Sequence, residues 1–503
     1  MKESSTLGVS GMNHAFAVSL LKDGQVTFAI EEDKLRRFRG LGMRHLKTMG
    51  SRAIDLALSK VDGGIRSIRS VAYVPTVDAC EAQIAEQCAF VAEFLHRFYD
   101  CSPTVVPVDY ITARLAFERA VHGNPDHVLY ASRSRAIYVG SSSSTYDFNN
   151  EFAAVRFVEC CAEFLGFDQS KIHHLESIAK FGTPRFVGPL KSLLREGFDP
   201  TCINKTMGAV TGSSQVCSGD SFKDVHFDLA ASLHALLYEE VCDLLRSVPA
   251  ERRMGTIALS GGVFHSWSLN DALTAEFPST RFVVSFAPGN ASCAVGGPLV
   301  LCSYGSEKRL SPFLGPKYTQ NDVKAVLDNC KARYELHSFR QAIGIVCDAL
   351  MKGDMVGWFS GPCEFGYRAL GARSVFANPE NPYACDNLSS FLKLRPSYFT
   401  YAVAMKDCDA PGIDSPHLSR STRLPEYFGE SPVRIQTVSP AGNPVLHQLL
   451  EAFQARSGVR ALLNTSLNYF DEPIACTPRD ALKTFYASGL DMLVIENFVL
   501  RKT

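Results

Sequence analysis

The sequence predicts an α/β protein of two domains, and three observations carry that expectation. Apolar strands alternate with amphipathic helical stretches, the pattern of layered α/β folds. The 503 residues exceed what one core normally holds. The run Leu314-Gly315-Pro316-Lys317-Tyr318-Thr319 punctuates the chain, and the ~180 residues beyond it suffice for an independent domain. The boundary is therefore placed after Gly315, giving domains 1–315 and 316–503.

The elements follow in order. Residues 7–10 read as a strand that turns at Gly11. Residues 16–21 and 25–30 flank Lys22-Asp23-Gly24, a hairpin signal. A charged segment begins at Glu31, and residues 46–58 are helix-like. Residues 228–245 have the period of a strong amphipathic helix. Residues 256–259 form a short strand that breaks into Gly261-Gly262, with a helix from about Ser268. Residues 281–286 read as another strand. A helix is expected over 321–328 with Asn321 as its N-cap. Residues 141–144 are a polar serine loop.

Charge and composition exclude several classes. Hydrophobic residues make up 46% and charged residues 20%, a globular balance. The net charge of −1 gives no support to nucleic-acid binding. No apolar run reaches transmembrane length, so no membrane partner is expected. The polar start, Met1-Lys2-Glu3-Ser4-Ser5, is unlike a signal peptide, and a cytoplasmic location is expected. The 16 cysteines are scattered without a C-x-x-C pair, which disfavours both a zinc site of usual spacing and a disulfide framework.

Two segments carry chemistry. The first, residues 357–374, is glycine-rich and holds Glu364, Arg368, Arg373 and Ser374. Guanidiniums beside a glycine-rich turn suit a phosphate or carboxylate, because backbone N–H groups can approach the anion and each Arg offers a planar fork. Alone it favours the anion site only modestly over a surface loop of paired charges. The second, residues 462–468, runs from apolar residues into Asn464, Thr465, Ser466 and Asn468. Thr477-Pro478 then starts a helix, with Thr477 as N-cap and Asp480 three residues on. Amides and hydroxyls at a strand end place neutral donors beside a ligand.

Together these segments resemble the carbamoyltransferase family of antibiotic and nodulation-factor biosynthesis, whose pattern is EFG-x-RALG-x-RS followed by LNTS-x-N…EPI-x-CTP-x-DAL. Residues 31–39 (EEDKLRRFR) are similar to that family's EE-x-R-x-x-R-x-K segment, and Leu314 to Tyr318 to its interdomain LGP segment. The resemblance implies an actin/Hsp70-like ATPase-superfamily N-terminal domain, similar to the Kae protein, followed by a YrdC-like α/β C-terminal domain. It implies a transferase that converts carbamoyl phosphate and ATP to a carbamoyl adenylate and passes the carbamoyl group to a small-molecule acceptor, helped by a bound metal.

On that resemblance Glu364, Arg368, Arg373, Ser374, Lys393, Arg395, Asn464, Thr465, Ser466 and Asn468 bind phosphate or adenylate in the C-terminal domain. Gly261, Gly262 and Asn270 line an N-terminal nucleotide cleft, with His14 as the candidate catalytic base. The implied metal ligands fall on Ala113, Phe117, Ser132 and Asn290, so no metal is expected. His122, Asp126 and His127 lie near the lost pair, at no ligand spacing that fits. The family's EGK-x-MG run falls on residues 172–182, and Ser266 stands where it has asparagine. The expected function is a divergent ATP-dependent carbamoyltransferase-like enzyme of specialised metabolism, using carbamoyl phosphate or a related acyl donor. The alternative is a binding-only partner subunit. A homodimer or a partner protein remains open.

Overall fold

The computed structural model describes residues 5–132, 135–140, 145–148, 153–167, 173–216, 221–302, 309–396, 398–469 and 472–502. The polar start at residues 1–4 and the serine loop at 141–144 lie outside them.

The first sheet is built by β1 (Ser5–Ser10), β2 (Ala17–Lys22), β3 (Gln25–Glu31), β4 (Ile68–Val74) and β5 (Thr104–Pro107), in the order β3-β2-β1-β4-β5. The hairpin β2–β3 is antiparallel, as the Lys22-Asp23-Gly24 turn requires: Asp23 and Gly24 both adopt positive φ. β4 and β5 run parallel to β1. The second sheet repeats this plan. β6 (His127–Ala131), β7 (Ala136–Gly140), β8 (Thr145–Asp147), β9 (Gly255–Ser260) and β10 (Thr280–Val284) lie in the order β10-β9-β6-β7-β8. In both sheets the opening strand pairs antiparallel with the second and parallel with the fourth. This doubled sheet agrees with the actin-like architecture expected for the front half.

Between the sheets pack helices Tyr110–His122 and Ser292–Leu301, the latter apolar on almost every face. A side chain at Gly8 would lie 1.9 Å from the Ala294 carbonyl oxygen, and one at Gly296 the same distance from that of Ala113. Glycine is what lets helix, sheet and helix approach this closely. The long helix Asp224–Ser247 extends the predicted one by about a turn at its start, with its apolar face in the second sheet's core. The 46–58 stretch divides into a short 3-10 turn, Met43–Leu46, and a helix, Arg52–Leu58, because Gly50 breaks it at φ 66° and Ser51 caps the second piece.

Residues 335–501 contribute a nine-stranded sheet. Its strands are β11 (Glu335–Leu336), β12 (Val356–Phe359), β13 (Arg373–Ala377), β14 (Ala402–Lys406), β15 (Arg420–Arg423), β16 (Pro432–Val438), β17 (Ala461–Ser466), β18 (Met492–Ile495) and β19 (Phe498–Arg501). They lie in the order β11-β19-β18-β12-β13-β17-β14-β16-β15. The helix before them is Gln320–Asn329. Its cap is Thr319 rather than Asn321, because Thr319 and Asp322 complete a reciprocal capping box. Thr477 caps helix Pro478–Ala487 as its sequence predicts, with Asp480 closing that box.

Front and rear are joined by the charged segment at the end of β3. Lys34, 3% exposed, donates to the carbonyls of Glu364 and Gly366, each at 2.6 Å, and pairs with Glu31 at 2.8 Å. Arg37 binds Glu472 at 2.9 Å and the Ile474 carbonyl at 2.6 Å. The described cysteines are all free thiols. Among the described residues no helix is long and apolar enough to cross a membrane.

Candidate functional site

The rear site grows from the middle of the nine-stranded sheet. β13 runs antiparallel to β17, with Ser374 opposite Ser466, Val375 opposite Thr465 and Phe376 opposite Asn464. Strand alternation puts Asn464 and Ser466 on one face and Thr465 on the other. A π-helical stretch, Asn387–Leu392, delivers Lys393 to the end of β17. Single π-turns recur at functional sites because they re-aim a side chain. The Lys393 ammonium donates to the carbonyls of Ser466 and Asn468, to Ser466 Oγ and to Asn468 Oδ1.

All those acceptors are neutral. Burial pushes the Lys393 ammonium well below its ordinary value, and Arg395 and Arg39 push it further. Arg395 is itself lowered by burial, with its guanidinium over the rings of Phe399 (5.5 Å) and Tyr401 (5.7 Å). Arg39 reaches over from the front half and donates to the Glu472 carbonyl at 3.1 Å. Three cations converge on amides and hydroxyls, which is the chemistry of an anion site.

Other residues expected there do different work. Glu364 is fully buried, and its Oε1 accepts from the backbone N–H groups of Leu370, Ala372 and Arg373 at 2.9, 2.7 and 3.1 Å. It shapes the glycine-rich turn from within. Arg373 is equally buried. Its guanidinium donates to the carbonyls of Ser360, Gly361, Ala372 and Pro316 and stacks 3.5 Å over Phe359. The expectation of Arg373 as a phosphate fork is corrected: both its terminal nitrogens are committed to backbone under β12 and β13, and its buried Nε alone lacks a partner among the described residues. Ser374 is fully buried opposite Trp358 and Ser466, and its Oγ has no hydrogen-bond partner among the described residues. Arg368 faces the front half, donating to the His265 carbonyl at 3.0 Å. The structure thus separates Arg368 from Arg373. Asn464 is 4% exposed and donates to Gln436 Oε1 at 2.9 Å, leaving its own Oδ1 without a partner.

The front site begins where β9 ends. Gly261 has φ 122°, and a Cβ there would lie 1.9 Å from the Ala131 carbonyl oxygen, so only glycine fits. Gly262 faces open space. Asn270 is 1% exposed, and its amide nitrogen donates to the carbonyls of Phe264 and Ser419, each at 3.0 Å. It ties the turn to the rear half instead of lining an open cleft, which corrects the expectation for it. His14 stands exposed beside Ala15, whose φ is 54°, with its Nε2 2.9 Å from Asn290 Nδ2. The amide donates, so Nε2 is the accepting nitrogen there.

Sequence reasoning missed one cluster. Glu176 is hydrogen-bonded by Ser266 and Ser268 and lies near Arg368, and burial pushes its carboxyl up to about 8 against those three influences. Ser268 Oγ lies 2.8 Å from His234 Nε2, and burial lowers that imidazole to about 4. Tyr367 stacks edge-on to His265 at 4.3 Å and receives the Arg368 guanidinium at 4.8 Å. Arg39 acts on both Tyr367 and Lys393, so this cluster and the rear cations share one seam. The signal was present in the sequence: Glu176 sits in the segment that departs from the EGK-x-MG run.

The residues at the implied metal positions do not fit a divalent cation. Ala113 and Phe117 are fully buried hydrocarbon. Ser132 bonds the Arg135 carbonyl at 3.2 Å, and Asn290 Oδ1 accepts from the Tyr110 hydroxyl at 2.7 Å. Residues 133 and 134 lie outside the described residues. Among the described residues no group of three His, Cys, Asp or Glu side chains converges as ligands would.

Comparison with known proteins identifies the rear half. Residues 347–502 match the family described as "Carbamoyltransferase C-terminus". The nodulation protein NolNO of Sinorhizobium fredii is 25% identical over 97% of this chain and 79% of its own length. The 3'-hydroxymethylcephem-O-carbamoyltransferase of Amycolatopsis lactamdurans is 32% identical over 29% of this chain and 30% of its own. Residues 347–502 therefore carry a carbamoyltransferase C-terminal domain. An uncharacterised Synechocystis protein, sll1178, is 31% identical over 60% of this chain, which spans only 57% of that protein's length. The stretch that carries the carbamoyltransferase match contains Lys393, Arg395 and the whole 464–468 cluster. The implied metal positions lie outside it.

Proposed function

We propose that this chain is an ATP-dependent carbamoyltransferase of specialised metabolism. Lys393, Arg395 and Arg368, with Ser466 and Asn468, would bind the phosphoryl groups of ATP and of carbamoyl phosphate or a related acyl donor; Thr465 lies on the opposite face of β17. Water first releases inorganic phosphate from carbamoyl phosphate; an oxygen of the carbamate left behind then attacks the α-phosphorus of ATP and expels pyrophosphate, giving the carbamoyl adenylate. Gly261 and Gly262 let backbone approach a nucleotide in the front domain, taken as residues 1–315. A small-molecule hydroxyl or amine then displaces AMP from the carbonyl. His14, at the edge of that turn, would position the acceptor or the departing phosphate.

One observation carries the reading. Every influence resolved on the Lys393 ammonium opposes its charge: burial, Arg395 and Arg39. Among the described residues it bonds only neutral oxygens. A phosphate there supplies the missing negative charge. The cephem relative's printed activity, O-carbamoyl transfer, supports a hydroxyl acceptor.

A second reading is favoured by Ala113, Phe117, Ser132 and Asn290. A front half without the implied ligands suits a subunit that binds nucleotide and leaves chemistry to a partner. Incubation of the purified chain with ATP and carbamoyl phosphate separates the two. Donor-dependent AMP and pyrophosphate are expected. Nucleotide binding without turnover, restored by an added relative that keeps the ligands, would support the partner instead.

A further inference from the structure

The implied metal positions enclose a constellation that the reading above does not use. Arg114, one residue after Ala113, is 1% exposed. Its guanidinium donates to the carbonyls of Pro288 and Gly289 and to the hydroxyls of Ser260 (2.8 Å) and Ser292. It lies 5.6 Å from the centre of the Tyr130 ring. All four acceptors are neutral. The nearest carboxylate in sequence register, Glu118, acts on it through space, behind Tyr110 and Cys293 in strength. A buried cation whose direct hydrogen-bond partners are all neutral is costly.

The surroundings complete the picture. Ser132 and Tyr110 both act on the hydroxyl of Tyr130, whose ring lies beside the Arg114 guanidinium. Tyr110 donates to Asn290, and Asn290 to His14. Ser132 and Asn290, two of the four positions where ligands are implied, thus belong to this polar cluster. Burial pushes the Tyr110 phenol well above its ordinary value, so it stays a neutral donor. The other two positions are filled by hydrocarbon: Ala113 lies against Gly296, and Phe117 packs on Phe286 at 5.3 Å. A divalent ion brought here would meet a fixed positive charge at close range in a medium where repulsion is strong.

We propose that the Arg114 guanidinium, set among Tyr110, Tyr130 and Asn290, takes the place of a divalent cation in the front half, which therefore binds no metal. Arg114 is a positioning residue. It fixes the Pro288–Asn290 turn ahead of helix Ser292–Leu301 and supplies a covalent positive charge behind Asn290 and His14. Its field favours negative charge on a carbonyl or phosphoryl oxygen docked at that turn. The inference rests on the transferase reading only for the step it serves. Its test needs no turnover, so the two can fail separately.

The test is metal retention. The full chain is dialysed against Fe(II), Zn(II) or Mn(II) under reducing conditions, freed of excess, and its metal content and thermal melt are measured before and after 1,10-phenanthroline. Background metal and a melt unmoved by the chelator are expected. About one ion per chain, with a melt that falls when the chelator removes it, would overturn the proposal. A second arm restores ligands with Ala113→His, Phe117→His and Asn290→Asp, with and without Arg114→Met. Metal should be retained only when Arg114 is also replaced. Equal retention with Arg114 in place would refute the displacement by charge. Should these variants fail to fold, the wild-type measurement alone decides.

Discussion

Replacing Lys393 by Met tests whether the rear cations await a ligand or merely hold the fold. The ammonium makes four contacts to neutral oxygens and is opposed by Arg395 and Arg39. Removing it relieves that repulsion and the cost of a buried charge. It also leaves the Ser466 and Asn468 oxygens short of a donor, at about 1–3 kcal/mol. The two effects oppose each other, so the melting temperature should change little. Anion affinity should not be spared. One charge-assisted contact is worth about 1.5–3 kcal/mol, which is roughly ten- to more than a hundredfold in dissociation constant. Titration calorimetry with pyrophosphate reads the affinity, and a thermal melt of the same samples reads the fold. Binding should also take up protons, because the anion restores the lysine's suppressed basicity; the heat will then depend on the buffer's ionisation enthalpy. Unchanged affinity with a collapsed melt would refute the reasoning and make Lys393 a structural strut.

Arg373→Met should do the reverse. It strips the donors from the carbonyls of Ser360, Gly361, Ala372 and Pro316, so denaturant unfolding should show a loss above about 3 kcal/mol, since such losses attach to broken buried networks. Gly261→Ala should be as severe, because its methyl meets the Ala131 carbonyl at 1.9 Å at a φ of 122°; failure of the variant to accumulate as soluble protein, or a lowered melt, checks it. Glu176 should make stability fall as pH rises from 4.5 to about 8. The folded carboxyl holds its proton through that window while the unfolded one releases it. Glu176→Gln should flatten the slope, and an unchanged pH profile would dissociate the residue from it.

Much of the frame was legible because local chemistry dictated it. Lys22-Asp23-Gly24 announced a hairpin, and Thr477-Pro478 with Asp480 announced a helix start. The cap at 319 was misread because Asn321 and Thr319 are both good caps. The reciprocal bond with Asp322 decides between them, and Asn321 stands at the wrong spacing for it. The site was half legible. Residue type marked Lys393, Arg395, Ser466 and Asn468 as polar groups at a strand end, and the fold gathers them. Residue type could not say which arginines face outward. Arg373 is in a strand that pairs on both sides, and that burial turns its fork inward. Glu364 likewise becomes a backbone acceptor because the turn after it leaves three N–H groups needing one. Locally the Glu176 cluster shows only as a departure from the EGK-x-MG run. Its parts come from helices near 176, 234 and 268 and a rear turn at 368, and only tertiary contact joins them.

The account stands most directly on carbamoyl-phosphate-dependent exchange of labelled pyrophosphate into ATP by the wild-type chain. It predicts label in ATP only when the donor is present, lost in Lys393→Met. No exchange from a folded protein that binds pyrophosphate, with carbamoyl phosphate or any other carbonyl donor, would contradict it.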